Sequence, residues 1–282
     1  MTAPRIFDFA PLARHRERAR RLNGDRFLAR DAAESLLERL RATNRQFENA
    51  FALDTPDAAF DILEPAALHW TWATMGEREA LPLENEAYDL AVSVLALDAV
   101  NDLPGVLHQI RTKLKPDGLF LGALFGGETL RELREAFAAA EIETTGGISP
   151  RVAPFADVRD LGGLLQRAGF ALPVADVERT TVNYRDFSSL LRDLRAHGQT
   201  NALVQRSRKF LRRETFAALL ASYRPVRATF DIVYLTGWAP HESQQKPLKP
   251  GSAKTRLADA LGTVERSAGE KPSPFDKLRV KE

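Results

Sequence analysis

Residues 88–97 read YDLAVSVLAL, apolar at nearly every position. A strand of that pattern has both faces covered, as in a parallel sheet flanked by helices. The next segment tightens the constraint. Leu103, Val106, Leu107, Ile110 and Leu114 recur at helical spacing, so residues 103–115 predict an amphipathic helix. Lys115-Pro116-Asp117-Gly118 stops that helix and turns the chain. Residues 119–125 then predict a second buried strand. Strand, helix, strand in this order is the unit of an α/β fold.

The rest of the chain extends the pattern. Residues 51–54 read as a short buried strand ending in an acid, and residues 31–43 as a helix with Leu36, Leu37 and Leu40 on one face. Residues 128–140 and 157–168 predict two more helices, the second ended by Gly169. Residues 174–184 and 226–238 are long, β-branched or aromatic runs, with a basic helical stretch between them. The expected fold is α/β: a doubly wound, mostly parallel sheet ending in an antiparallel strand pair, with a helical insertion at about 185–223. The expected organisation is an N-terminal helical segment (1–48), a main domain (49–243) and a tail (244–282).

Charge and composition exclude several classes. Forty basic against 38 acidic residues leave a net +2, too little for nucleic-acid binding driven by bulk charge. Zero cysteines removes disulfides, Cys-ligated zinc and a thiol nucleophile. No apolar run approaches the ~20 residues of a membrane span, and no apolar core of a secretory signal opens the chain. These absences predict a cytoplasmic location in a bacterium. Residues 244–282 hold nine Lys/Arg, five Asp/Glu and four prolines, and read as a solvated, largely disordered tail. Arg14, Arg16, Arg18, Arg20 and Arg21 read as the wet face of a helix, with Ile6, Phe7, Phe9 and Leu12 packing inward. An anionic-surface contact is the other reading, so peripheral membrane contact stays open.

Three features together resemble the class I S-adenosylmethionine (SAM) methyltransferase fold. They are Tyr88-Asp89-Leu90-Ala91-Val92, then Leu114-Lys115-Pro116-Asp117-Gly118-Leu119-Phe120, then the antiparallel pair at the end. A narrower set lies in order: Asn101-Asp102-Leu103-Pro104, Phe125-Gly126-Gly127-Glu128-Thr129-Leu130, Gly146-Gly147-Ile148-Ser149-Pro150, Gly237-Trp238 and His241-Glu242-Ser243-Gln244. This set is similar to the complex I assembly factor 5 family, kin to the malonyl-acyl-carrier-protein methyltransferase of biotin synthesis. The resemblance implies SAM as cofactor, no metal, and a protein partner that is a subunit of respiratory complex I (NADH–quinone oxidoreductase).

The cofactor half departs from that pattern. The first strand of this fold normally runs into a glycine-rich turn that lets the backbone approach the ligand. Here Leu53-Asp54 runs into Thr55-Pro56-Asp57, and no glycine falls between Gly24 and Gly76. No second strand ending in a ribose-binding acid is visible. Asp54 and Asp89 are 35 residues apart, where two βαβ units sharing a strand need roughly 50–60. One strand and one helix are missing from the count. Trp70 and Trp72 read as plugs of the shortened region.

The candidate cofactor contacts are Asp54, Glu77 and Asp98. Asp54 either closes the cofactor loop or caps the helix starting near Pro56. Glu77 stands where relatives carry an Asp near the adenine. Asp98 and Ala99 replace a polar or His residue followed by Trp. Candidate substrate or partner contacts are Gly126, Gly127, Glu128, Ser149, Arg151 and His241. Glu128 is equally a first-turn helix acid, and His241 equally a surface loop residue. No catalytic residue is assigned. Three functions stay open: a SAM-dependent enzyme of the assembly-factor type, a non-catalytic assembly protein on the same fold, and a methyltransferase of a small molecule or carrier-bound acid. In the third, Arg206, Arg208, Lys209, Arg212 and Arg213 would dock an acidic carrier.

Overall fold

Leu90, Val92 and Val94 point to one face of the sheet and Ala91 to the other, and both faces are packed. That is why residues 88–97 are apolar at nearly every position. The structure is a computed structural model that describes residues 5–22 and 24–245. The chain divides into two units, 1–242 and 243–282. The account below concerns the first. Of the second, only residues 243–245 are described, so the tail expected at 244–282 lies almost wholly outside the described residues.

Six strands form one sheet in the order β2-β1-β3-β4-β6-β5. They are β1 (Phe47–Leu53), β2 (Ala67–Ala73), β3 (Tyr88–Val94), β4 (Leu114–Phe125), β5 (Ala171–Asn183) and β6 (Arg227–Trp238). β2, β1, β3 and β4 run parallel. β6 runs antiparallel between β4 and β5. The α/β class and the closing antiparallel pair are therefore as the sequence predicts. One face carries α2 (Phe27–Ala42), α3 (Asp57–Leu63), α5 (Arg131–Thr145), α7 (Phe187–Ala196) and α8 (Arg213–Ser222). The other carries α4 (Leu103–Lys113) and α6 (Val158–Arg167). α1 (Phe9–Arg21) precedes α2 and makes contacts with α7.

The shortened region resolves cleanly. β1 leads through α3 and a 3₁₀ turn to β2, which lies at the edge of the sheet. The chain then passes straight to β3 on the far side of β1, with no helix or strand over residues 74–87. The direction of winding thus reverses between β1 and β3, and open α/β sheets place ligands outside the strand ends at such a reversal.

Three boundaries differ from the sequence reading. Leu114 already pairs with Tyr88, so β4 starts before the Lys-Pro-Asp-Gly segment, which sits inside it as an irregularity. Asp117 takes φ +64° there, and a Cβ on Gly118 would lie 2.9 Å from the Lys115 carbonyl. α5 starts at Arg131 because Leu130 is left-handed at φ +56°. Its N–H bonds to the Thr229 carbonyl of β6 at 2.8 Å, while the Thr129 hydroxyl donates to Asp231 O and accepts from Asp231 N. The stretch between α7 and α8 is not helical. It bridges instead to the N-terminus, through Phe7 and Leu203. Ile6 is exposed rather than packed inward, while Phe7 is buried.

Candidate ligand pocket at the carboxyl edge of the sheet

A cavity of about 380 Å³ opens where β1, β2 and β3 end. Its floor holds Asp54, Thr55, Leu95 and Ala96, and α1 covers it with Leu12, Arg16 and Ala19. Asp54 lies just past β1 with φ +45° and a side chain only 2% exposed. Its Oδ2 accepts from the Met75 N–H at 3.2 Å and from Arg16 Nη1 at 3.2 Å. Arg16 Nη2 donates to the Ala96 carbonyl at 2.9 Å. One arginine therefore ties the end of β1 to the end of β3 across the cavity. Burial pushes the Asp54 carboxyl up, and Arg16 only partly offsets this. Asp54 does not cap α3: Pro56 holds the capping position and no side chain caps that end.

His197, at the end of α7, adds a neutral imidazole to the wall. Burial holds its pKa down, its Nδ1 lies 2.9 Å from the Asp193 carbonyl, and its Nε2 is buried without a hydrogen-bond partner. Nδ1 donating to that carbonyl leaves Nε2 as the acceptor. Trp72, half exposed, borders the cavity while also packing on Phe60 at 4.3 Å.

Asp98 sits in the 3₁₀ turn Leu97–Ala99 after β3. Its Oδ2 accepts from Gln199 Nε2 at 3.1 Å, and its Oδ1 is buried with no partner. Burial pushes the carboxyl up to about 6. It faces a second, smaller cavity of about 70 Å³ whose polar walls come from Arg151, Gln199, Thr200 and Asn201. Ala99, Gly198 and Gln199 border both cavities.

Glu77 is outside the cavity lining, exposed and paired with Arg5 at 3.1 Å. The neighbouring Glu79 has the more embedded role. It accepts from the Asn101 and Asp102 backbone N–H groups at 2.7 and 2.8 Å, while Asn101 Oδ1 accepts from the Ile6 and Phe7 N–H groups. The N-terminus is thereby pinned beside the pockets.

The residues read as partner contacts fall in two places. Gly126 packs under β6, where a Cβ would meet Val233 Cγ2 at 2.7 Å. Gly127 is open, and Glu128 pairs with Arg131 at 2.9 Å. Ser149 and Arg151 converge on Glu141, a carboxylate 6% exposed. Glu141 accepts from the Ser149 N–H and hydroxyl at 2.6 and 2.7 Å and from Arg151 Nε at 2.8 Å. Burial raises its pKa, but the Ser149 hydrogen bonds and Arg151 outweigh this and hold it below the ordinary value. Gly127, Phe137, Ile148, Ser149 and Arg151 border an open groove of about 480 Å³. His241 follows Trp238, which pairs with Leu119 in the first half of β4. It therefore stands at the opposite edge of the sheet from the cavities.

The reading of Arg16 as part of a wet helix face does not hold, since it is mostly buried against Asp54, and Glu141 is not singled out by the sequence. Arg16 carried a readable signal: it is four residues after Leu12 and three before Ala19, on the buried stripe of α1 rather than its wet face. Glu141 carried none, since its partners come from the following loop.

Residues 12–173 match the protein family described as "Methyltransferase domain". The chain belongs to that methyltransferase-domain family. It is also similar to proteins named mitochondrial arginine-hydroxylase NDUFAF5. The one from Dictyostelium discoideum is 45% identical over 64% of this chain and 43% of its own length. The human one is 44% identical over 69% of this chain and 58% of its own. The malonyl-[acyl-carrier protein] O-methyltransferase of Xylella fastidiosa is 36% identical over 65% and 64%. The match thus spans about half the length of the arginine-hydroxylase relatives.

The family implies SAM, and the cavity is in the right place for it. The residues do not fit the adenosyl half. β2 ends in Ala73, followed by Thr74, so no carboxylate stands at the end of that strand, where this fold places the acid for ribose hydroxyls; Asp57 of α3 borders the cavity instead. Pro56 removes an N–H where the glycine-rich turn would supply one. Asp54 Oδ2 already accepts from the Met75 N–H and Arg16. Among the described residues no cluster of metal-ligating side chains occurs, and no helix is long and apolar enough to cross a membrane.

Proposed function

We propose that this chain is an assembly protein of the complex I assembly factor type, which holds a subunit of NADH–quinone oxidoreductase on a methyltransferase fold without SAM chemistry. The observation that carries this is the Arg16–Asp54–Met75 lock across the cofactor loop. It engages Asp54 Oδ2 at the cofactor loop, and through the Ala96 carbonyl the same arginine joins the end of β1 to the end of β3. The binding face is the groove bordered by Phe137, Ile148 and Arg151, with Ile148 65% exposed. The likeness to the arginine-hydroxylases named NDUFAF5 supports the choice of partner.

A second reading, a SAM-dependent enzyme acting on a protein, is favoured by the size of the cavity, which lies within the ~300–1,000 Å³ of ligand pockets. Complementation separates the two. Cells lacking this protein are given wild type, a cavity-filling Thr74→Trp variant, or an Ile148→Asp variant, and assembled membrane NADH–quinone oxidoreductase is measured. Restoration by Thr74→Trp and failure of Ile148→Asp is the expected result. Failure of a well-folded Thr74→Trp would overturn the proposal and favour the enzyme.

A further inference from the structure

The sheet ends on β2, whose outer side pairs with nothing among the described residues. Natural edges are usually blunted by charge, proline, bulges or cover. The opposite edge, β5, follows that rule, with Asp176, Glu178 and Arg179 and a register shift between Ala171 and Val174. β2 does not. Its sequence, ALHWTWA, has no Lys, Asp, Glu, Arg or Pro. Leu68, Trp70 and Trp72 share one face, with Leu68 75% exposed and Trp72 50% exposed.

The chain segment that forms this edge carries charge of one sign, although Arg16, Arg20 and Arg26 border the cavity at its Trp72 end. No Lys or Arg occurs between Arg45 and Arg78. α3, which leads into β2, exposes Asp57 and Asp61, and the turn after it exposes Glu64. Among the described residues none of these three acids is in a salt bridge.

We infer that the outer edge of β2 is a strand-addition site for an extended, basic segment of a protein partner, apolar at alternate positions. Main-chain hydrogen bonds to β2 supply affinity, the row Leu68–Trp70–Trp72 accepts alternate side chains, and the acids select Lys or Arg. A second copy of this chain fits poorly, because a two-fold pairing sets the same acids against themselves. This inference concerns a different surface from the groove and stands or falls separately from the proposed function.

The test uses the full chain and a fluorescent peptide of alternating Lys and Val, seven residues long. Its controls are a twin with Glu for Lys and a basic twin N-methylated at alternate amides. Fluorescence anisotropy is expected to show the basic peptide binding at least about tenfold tighter than either twin. The exposed double substitution Asp61→Asn with Glu64→Gln, and separately Leu68→Asp, are expected to weaken it, while Val177→Lys on β5 leaves it unchanged. Equal binding of the N-methylated twin would show mere charge attraction and overturn the inference. So would self-association of the chain that Leu68→Asp abolishes, or indifference to Leu68→Asp.

Discussion

Asp98 shows how a single buried carboxylate can register in stability. Its Oδ1 has no partner and burial pushes it up to about 6. A carboxylate raised in the fold binds its proton more tightly there than in the unfolded chain. Its unfavourable contribution is therefore absent below about pH 4 and complete above about 6. Replacing Asp98 by Asn is expected to stabilise the protein by about 2–3 kcal/mol at pH 7.5 and by little at pH 4. Urea unfolding at the two values checks this, and equal effects at both would contradict it. Asp98 was legible in sequence as a position, because it follows the strongest strand. Its environment was not, since Gln199 arrives from a hundred residues away. Arg16 was the converse: its place on the stripe of α1 was written in the spacing, but the surrounding arginines masked it.

At the scale of elements, Glu141 is the anchor of the loop that follows α5. Both of its oxygens are engaged, by Ser149 and Arg151. Glu141→Gln keeps the shape and removes the charge, and is expected to cost about 2 kcal/mol at pH 7. Hydrogen exchange at the Ser149 N–H should quicken with it. Because Glu141 is held below its ordinary value, the wild-type advantage should persist down to about pH 4.5 and fade as the pH falls further. An unchanged exchange rate at Ser149 would leave the loop anchored by something else. Apart from the edge strand β2, the strands and most helices were legible, because covered strands and amphipathic helices leave strong periodicities. The start of α5 was not, because the left-handed Leu130 is held by bonds to Thr229 on β6. Nor was the start of β4, where pairing with Tyr88 carries the strand through a segment whose proline and glycine read as a turn.

At the scale of the molecule, the fold has kept its layers while losing one βα unit. The 35-residue spacing between Asp54 and Asp89 foretold that loss, and the chain crosses directly from β2 to β3. The loss has two consequences. It leaves β2 as an edge, and it leaves the pocket at the winding reversal without an acid at the end of β2 and without the glycines of the cofactor turn. Arg16 closes the resulting gap from α1. The sequence could show that the glycines were absent; it could not show that an arginine from the N-terminal helix had taken over the loop. The central claim is that this pocket no longer takes SAM. Calorimetric titration of the folded protein with SAM and with S-adenosylhomocysteine tests it most directly. The account predicts no binding of either up to about a millimolar. Binding of either near about ten micromolar, lost in Thr74→Trp, would contradict it.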